Sequence, residues 1–363
     1  MNVMLSIVLR VLWNGGVTRI AVEEARRIHS KLLVLRESKN DYDLGEVNFE
    51  VMRKYGERSS FTPLLTYLTA LYAKDRGTEA TVDLDLILKA IKRIKPPALY
   101  HDQFSGIIGY IRKKLYGEDY FVYIHETSID KNITKHSSKW KIATHMIDIP
   151  VIKNAKMIFT NSKWNQEVIK KYNLNTVVAY PGCYPKEKIN ENKGKIVLAV
   201  SMWDRGRRPE QYGEMARRLK NGKVVIAGSW ADEMYMREFM RSYPAALVTG
   251  RISEAKLHEL YDTASVILRF GFKEERGPGL GVLEGMANGL IPIVDNDLGA
   301  KEFILNDLNG YVVNDWEEAL ERIELLFSNG GKRKDMARNA WLKSKELTWD
   351  NHAKVIKDHL ETH

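Results

Sequence analysis

RFGFKEERGPGLGVLEGMANG, running from Arg269 to Gly289, decides how the rest of the chain is read. It begins as a strand end, passes through a loop carrying Gly271, Gly277 and Gly279, and continues as a helix. Leu280, Leu283 and Ala287 fall at i, i+3 and i+7 and give that helix an apolar face. Glu284 sits just over one turn in, on a different face. Glycines ahead of a helix let backbone approach a ligand, and the free N–H groups of a first helical turn attract anions. A carboxylate in the same helix can hold hydroxyl groups, so phosphate with sugar hydroxyls beside it is the chemistry this stretch suits.

Outward from there, the chain alternates strand and helix on both sides. Val3–Leu12 is a β-rich run closed by the turn Asn14-Gly15-Gly16, followed by a helix over Thr18–His29 and an apolar strand over Lys31–Leu35. That is a βαβ opening with its glycine pair at the strand's C-terminal end. Helices are expected at Pro63–Ala73 and Asp83–Lys95, the second broken by Pro96-Pro97. Strand Ala98–His101, helix Ser105–Tyr116, strand Tyr120–His125, strand Met157–Asn161, helix Ser162–Tyr172 and strand Thr176–Tyr180 follow. The polar stretch Asn190–Lys195 reads as a linker. Beyond it a second series runs: strands at Ile196–Ser201, Lys223–Ala227, Ala246–Thr249, Ser265–Phe270 and Ile291–Asp295, with helices at Pro209–Lys220, Asp232–Arg241, Ser253–Thr263 and Ala300–Leu305. Two successive β/α series predict an α/β fold of two doubly wound, Rossmann-like domains facing a central cleft.

Composition narrows the class. A chain of 363 residues is too long for one ordinary core. Lysine plus arginine is 56 against 47 acidic residues, a net charge of +9, which favours an anionic partner: nucleotide phosphate, acidic membrane or nucleic acid. Cys183 is the only cysteine, which excludes an intramolecular disulfide and a cysteine-built zinc site and fits a reducing compartment. The run Met1–Trp13 is interrupted by Arg10 and too short to span a membrane, so it reads as a buried strand.

Several segments, taken in order, resemble the retaining nucleotide-sugar glycosyltransferases of the GT-B fold, specifically family 4 (glycosyl transferases group 1). NGGVTRI resembles that family's Gly-Gly loop, YIHE its strand ending in histidine, and AYPG its strand-turn before the linker. VTGRISEAKLHELYDTASVIL and GLGVLEGMANGLIPIVDNDLGAKEFI resemble its two long C-terminal motifs. The likeness covers most of the chain and is strongest from Val248 to Gly310. It implies residues 1–190 as an acceptor-binding domain, 191–345 as a nucleotide-sugar-binding domain, and 346–363 as a C-terminal helix packing back on the first.

By that resemblance Glu284 binds the ribose hydroxyls, as an ionised carboxylate accepts two such bonds at once. The family's other motif glutamate falls eight residues earlier, where this chain has Arg276; either Glu275, shifted by one residue, takes the role, or Arg276 changes it toward phosphate or an acidic sugar. Gly277, Gly279 and Leu280 present backbone N–H groups to the donor diphosphate. In SMWDRGRRPE, Arg208 matches the family's lysine, and Arg205 with Arg207 supplies further positive charge for the leaving diphosphate. Gly15 and Gly16 let backbone reach the diphosphate, and His125 contacts the transferred sugar; His101-Asp102 is a lesser acceptor-site candidate. The implied reaction moves a hexose from a UDP- or GDP-linked donor to an acceptor hydroxyl on a glycan, lipid or protein, with retention, no metal site and no cofactor.

Other readings stay open at this stage. The same architecture serves nucleotide-sugar epimerases, and a non-catalytic carbohydrate- or membrane-binding descendant would account for Arg276. No RNA- or DNA-binding motif is visible, so a nucleic-acid partner is not expected. The amphipathic SGIIGYIRKKLY (Ser105–Tyr116) suits either a core helix or peripheral contact with an anionic membrane. A cytoplasmic location, with or without membrane association on that face, is the expectation.

Overall fold

The computed structural model describes residues 5–40, 42–57, 84–126, 129, 147–270 and 276–361. The helix expected at Pro63–Ala73 lies outside them, as do Glu274 and Glu275. The chain divides into two compact units, Met1–Tyr180 with His352–His363, and Pro181–Asn351.

The first unit is a seven-stranded parallel sheet in the order β3-β2-β1-β4-β5-β6-β7. Its strands are β1 (Ser6–Leu12), β2 (Lys31–Glu37), β3 (Phe49–Val51), β4 (Ala98–His101), β5 (Phe121–Ile124), β6 (Met157–Thr160) and β7 (Thr176–Val178). The inner strands read as unbroken apolar runs because helices cover both faces of the sheet, and every residue of β4, β5 and β6 is buried. Helices α1 (Gly16–Ile28), α2 (Leu84–Arg93), α3 (Gln103–Tyr116), α4 (Ile149–Asn154) and α5 (Lys163–Lys170) supply that cover, with Val8, Tyr100, Ile108, Val122, Val151 and Ile158 among the core they share with the sheet. Chain order reverses between β1 and β4, and that switch point is where a doubly wound sheet opens a crevice at its strands' C-terminal ends.

Helix α3 is anchored as a core helix. Gly106 lies so close to Val151 that an added Cβ would sit 2.7 Å from its Cγ1, and Gly109 is equally tight against Tyr100 and Tyr120. Two of its cations are ion-paired: Arg112 Nη2 lies 2.6 Å from Glu118, and Lys113 Nζ 3.0 Å from Asp119. Arg112 is also buried, donating to the Ile91 carbonyl.

The second unit is a six-stranded parallel sheet, β10-β9-β8-β11-β12-β13. Its strands are β8 (Ile196–Val200), β9 (Lys223–Ala227), β10 (Ala246–Gly250), β11 (Val266–Arg269), β12 (Ile291–Asp295) and β13 (Tyr311–Val313). Around it pack α6 (Pro209–Arg218), α7 (Glu233–Ser242), α8 (Glu254–Thr263), α9 (Leu280–Ala287), α10 (Trp316–Ser328) and α11 (Gly330–Ser344); α12 (Trp349–Glu361) carries the chain back into the first unit from His352. Here the order reverses between β8 and β11. The polar stretch Asn190–Lys195 lies within this unit, docked on α8 by Gly194 N–H to the Thr263 carbonyl at 2.8 Å and Asn190 to the Asp262 carbonyl at 3.1 Å.

Three elements differ from the sequence expectation. The segment expected as a helix over Ala300–Leu305 is a single 3-10 turn, Gly299–Phe303. The edge strands β3 and β13 are three residues each, too short to show a period of their own. Among the described residues, no helix is long and apolar enough to cross a membrane.

Candidate functional site

At the switch point of the second unit, three elements converge. β8 runs out into the loop Ser201–Arg208, β11 ends at Arg269, and α9 begins at Leu280. Arg269 ties two of them together: its Nη1 donates to the Val200 carbonyl at the end of β8, 3.2 Å away. The Tyr212 hydroxyl clamps the end of β11, donating to the Phe270 carbonyl at 2.9 Å and accepting from its N–H at 2.8 Å.

The glycine loop has strict backbone demands. Gly279, the residue before α9, has φ 69°, in the left-handed region, and a Cβ there would lie 2.9 Å from Arg269 Nε. Gly299 of the 3-10 turn meets the Arg276 carbonyl, which a Cβ would approach to 2.0 Å, so the turn and the loop pack backbone against backbone. Gly277 is half-buried in the same loop and Pro278 is buried. The helix's own hydrogen bonds begin with Val282 N–H to the Gly279 carbonyl, which leaves Leu280 at the opening of the first turn, where N–H groups have no intrahelical acceptor. The loop is therefore built for close approach at an anion-attracting helix end.

Glu284 stands one turn into α9, half-buried, and its Oε2 accepts a hydrogen bond from the Tyr261 hydroxyl at 2.9 Å. Tyr261 is buried on α8, so the carboxylate is oriented by a fixed donor rather than left to rotate. Tyr261 was not among the predicted site residues, although it lies in the motif-like run HELYDTAS. Arg269, read only as a strand end, is the other residue that sequence inspection passed over.

The three loop arginines play different parts. Arg207 turns back onto its own loop, donating to Ser201 Oγ at 2.7 Å and to the Met202 carbonyl. Arg205 lies over the Tyr235 ring, 4.4 Å from its centroid, and 3.9 Å from Glu238. Arg208 is exposed in a left-handed conformation, φ 46°, immediately before Pro209, and has no side-chain partner among the described residues. A left-handed arginine ahead of proline is sterically costly, and such strain tends to persist where a side chain must be aimed. The resemblance would put an arginine at Met202 or Trp203; Met202 is exposed, and Trp203 is fully buried, its indole N–H bonded to the Ala227 carbonyl at 2.9 Å.

In the first unit, the predicted Gly15 adopts an extended conformation before α1, and a Cβ there would strike the Trp13 ring at 2.8 Å. Gly16 is exposed as the first residue of α1. His125 follows β5 and keeps 7% of its surface exposed. Its carbonyl accepts from Asn161 Nδ2 at 2.9 Å and Asn165 Nδ2 at 3.1 Å. His125 Nε2 lies 3.1 Å from His101 Nδ1, and burial pushes its pKa well below the ordinary imidazole value. His101 is fully buried; Asp102, at φ 87°, caps α3 by accepting from Ser105 N–H at 2.8 Å and lies 2.9 Å from Arg10 Nε.

Residues 184–342, all in the second unit, match the family described as Glycosyl transferases group 1. No curated protein sequence matches the chain. Among solved structures, Anabaena Alr3699/HepE in complex with UDP and glucose superposes with a TM-score of 0.75 at 14% identity, over 99% of this chain and 100% of that one. Sucrose-phosphate synthase from Thermosynechococcus elongatus superposes with a TM-score of 0.76 at 15% identity, over 99% and 98%. WaaG, a glycosyltransferase involved in lipopolysaccharide biosynthesis, gives 0.71 at 13% identity, over 98% and 99%. At these identities the likeness is one of fold: the chain has the GT-B fold of two Rossmann-like units, and its second unit carries the glycosyl transferases group 1 signature.

Proposed function

We propose that the protein transfers a hexose from a nucleoside-diphosphate sugar to an acceptor hydroxyl, with retention of configuration and without a metal ion. The observation that carries this is Glu284, oriented by Tyr261 one turn into the helix whose glycine loop opens at the β8/β11 switch point. A carboxylate so placed accepts from two vicinal ribose hydroxyls, while the N–H groups around Gly277, Gly279 and Leu280 receive the diphosphate. Arg208, with Arg205 from the same loop, neutralises charge building on the departing diphosphate, and Arg207 shapes the loop that presents them. Either Glu275 or Arg276 faces the transferred sugar. His125 of the first unit accepts a sugar hydroxyl, and Gly15-Gly16 offers backbone N–H groups to phosphate. The match over residues 184–342 supports the reaction class, and the neighbour bound to UDP and glucose favours a uridine donor over a guanosine one.

The acceptor class is a hydroxyl on a glycan, lipid or protein. Peripheral contact of α3 with an anionic membrane on the cytoplasmic face would use Lys114 and the exposed Leu115 and Tyr116, since Arg112 and Lys113 are committed to Glu118 and Asp119.

The reaction is tested by incubating the protein with UDP- and GDP-linked hexoses and pooled sugar, lipid and peptide acceptors. Nucleoside diphosphate release should depend on acceptor, and proton NMR of the product should show the donor's anomeric configuration. Release of free sugar without acceptor would point to epimerase-type or hydrolytic chemistry instead, and an inverted product would sink the retaining assignment.

A further inference from the structure

Behind His125 lies a chain of buried polar groups that the transfer reaction does not itself use. Glu24 of α1, fully buried, bridges two histidines: Oε2 lies 2.7 Å from His101 Nε2, and Oε1 lies 2.8 Å from His352 Nε2. His352 comes from α12, 328 residues along the chain from Glu24. Its other ring nitrogen, Nδ1, is 2.8 Å from the Tyr180 carbonyl. On the far side, His101 Nδ1 meets His125 Nε2 at 3.1 Å. Tyr123 packs its ring against His101, His125 and His352, and its hydroxyl is occupied by the Ala179 carbonyl at 2.6 Å.

The partners dictate where protons sit. A carbonyl only accepts, so His352 Nδ1 must carry hydrogen. An ionised Glu24 also only accepts, so both imidazole Nε2 atoms facing it must carry hydrogen. His352 is therefore an imidazolium, and its charge cancels that of Glu24. A second imidazolium on His101 would leave a net buried charge, which is costly, so His101 is neutral with its proton on Nε2. Its Nδ1 then accepts, and the hydrogen between the two rings belongs to His125 Nε2. His125 Nδ1, which has no hydrogen-bond partner among the described residues, is left bare.

We infer that Glu24, His101 and His352 are positioning residues that hold His125 in one neutral tautomer, with Nε2 protonated inward and Nδ1 kept as a hydrogen-bond acceptor for a ligand hydroxyl. The ligand's identity as a sugar rests on the transferase reading; the proton arrangement does not. The C-terminal helix, through His352, thereby completes the site's proton pattern rather than only covering a sheet.

Nitrogen NMR of the protein labelled with 15N-histidine, at neutral pH and without substrate, reads this pattern directly. His125 is expected as a single tautomer protonated at Nε2, His101 likewise neutral at Nε2, and His352 doubly protonated. His101→Gln, whose amide can donate to Glu24 and accept from His125, should keep the His125 signature. His101→Phe, which removes the acceptor, should abolish the single-tautomer signature. Glu24→Gln should strip the second proton from His352 and leave His125 unchanged. A wild-type His125 protonated at Nδ1, or a cationic His101, overturns the inference whatever the protein binds. The predicted tautomers in a protein that binds no nucleotide sugar would sink the transferase reading alone.

Discussion

Glu284→Ala is expected to weaken binding of a nucleoside diphosphate or its sugar conjugate by at least about 100-fold while leaving the fold intact. The magnitude follows from two charge-assisted hydrogen bonds to vicinal hydroxyls, each contributing roughly 1.5–3 kcal/mol, where about 2.7 kcal/mol is already a hundredfold. The side chain is half-buried, so its truncation opens little cavity; the residual cost is the Tyr261 hydroxyl, which loses its acceptor at 2.9 Å. Tyr261→Phe separates the two contributions. It keeps the carboxylate but removes the hydrogen bond that orients it, and should cost roughly tenfold in affinity. Isothermal calorimetry for binding, beside circular dichroism for fold, checks both variants.

The largest stability effect should come from Glu24→Ala. Removing one partner of a buried charge pair strands the other, typically at a cost of about 3–5 kcal/mol. Here one carboxylate faces both His101 and His352, whose side chains are buried. A drop in melting temperature of roughly 10 °C for the first unit is expected, with less effect on unfolding of the second. The same pair sets an acid limit. Burial alone would raise the Glu24 pKa, but its close contacts with His101 and His352 outweigh it and lower the value from 4.5 to about 2. A carboxylate depressed in the folded state contributes fully above pH 4.5 and loses that contribution as pH falls toward 2. Wild-type stability should therefore fall between those pH values, and that of Glu24→Gln less so. Urea unfolding followed across this range checks the slope.

Much of this architecture was legible because parallel strands covered on both faces are unbroken apolar runs, and runs such as Ala98–His101 and Ile291–Asp295 could be bounded to the residue. The edge strands β3 and β13 escaped because three residues carry no periodicity, whereas the equally short β7 was marked by the AYPG turn that follows it. At the site, Glu284 and the glycines were visible in one contiguous stretch, since loop and helix are adjacent in sequence. Tyr261 was hidden because nothing in a sequence says which hydroxyl will reach a carboxylate 23 residues away. Glu24 and His352 left a fainter signal. Glu24 shares a helical face with Ile20 and Ala21, and His352 one with Trp349 and Ile356, and a polar residue on an apolar face asks for a buried partner. Their pairing depends on the chain's return from α12 to the first unit, which no local pattern encodes. Arg269 was missed because β11 accounts for its position, while its side chain reaches across to β8.

The central claim is that the second unit holds a nucleoside diphosphate against Glu284. Calorimetric titration of the full chain with UDP, GDP and their hexose conjugates, in buffer free of divalent cations, tests it most directly. Saturable one-site binding of at least one of these ligands, lost in Glu284→Ala, is the expected result. Binding of none of them, or an affinity unchanged by Glu284→Ala, would contradict it.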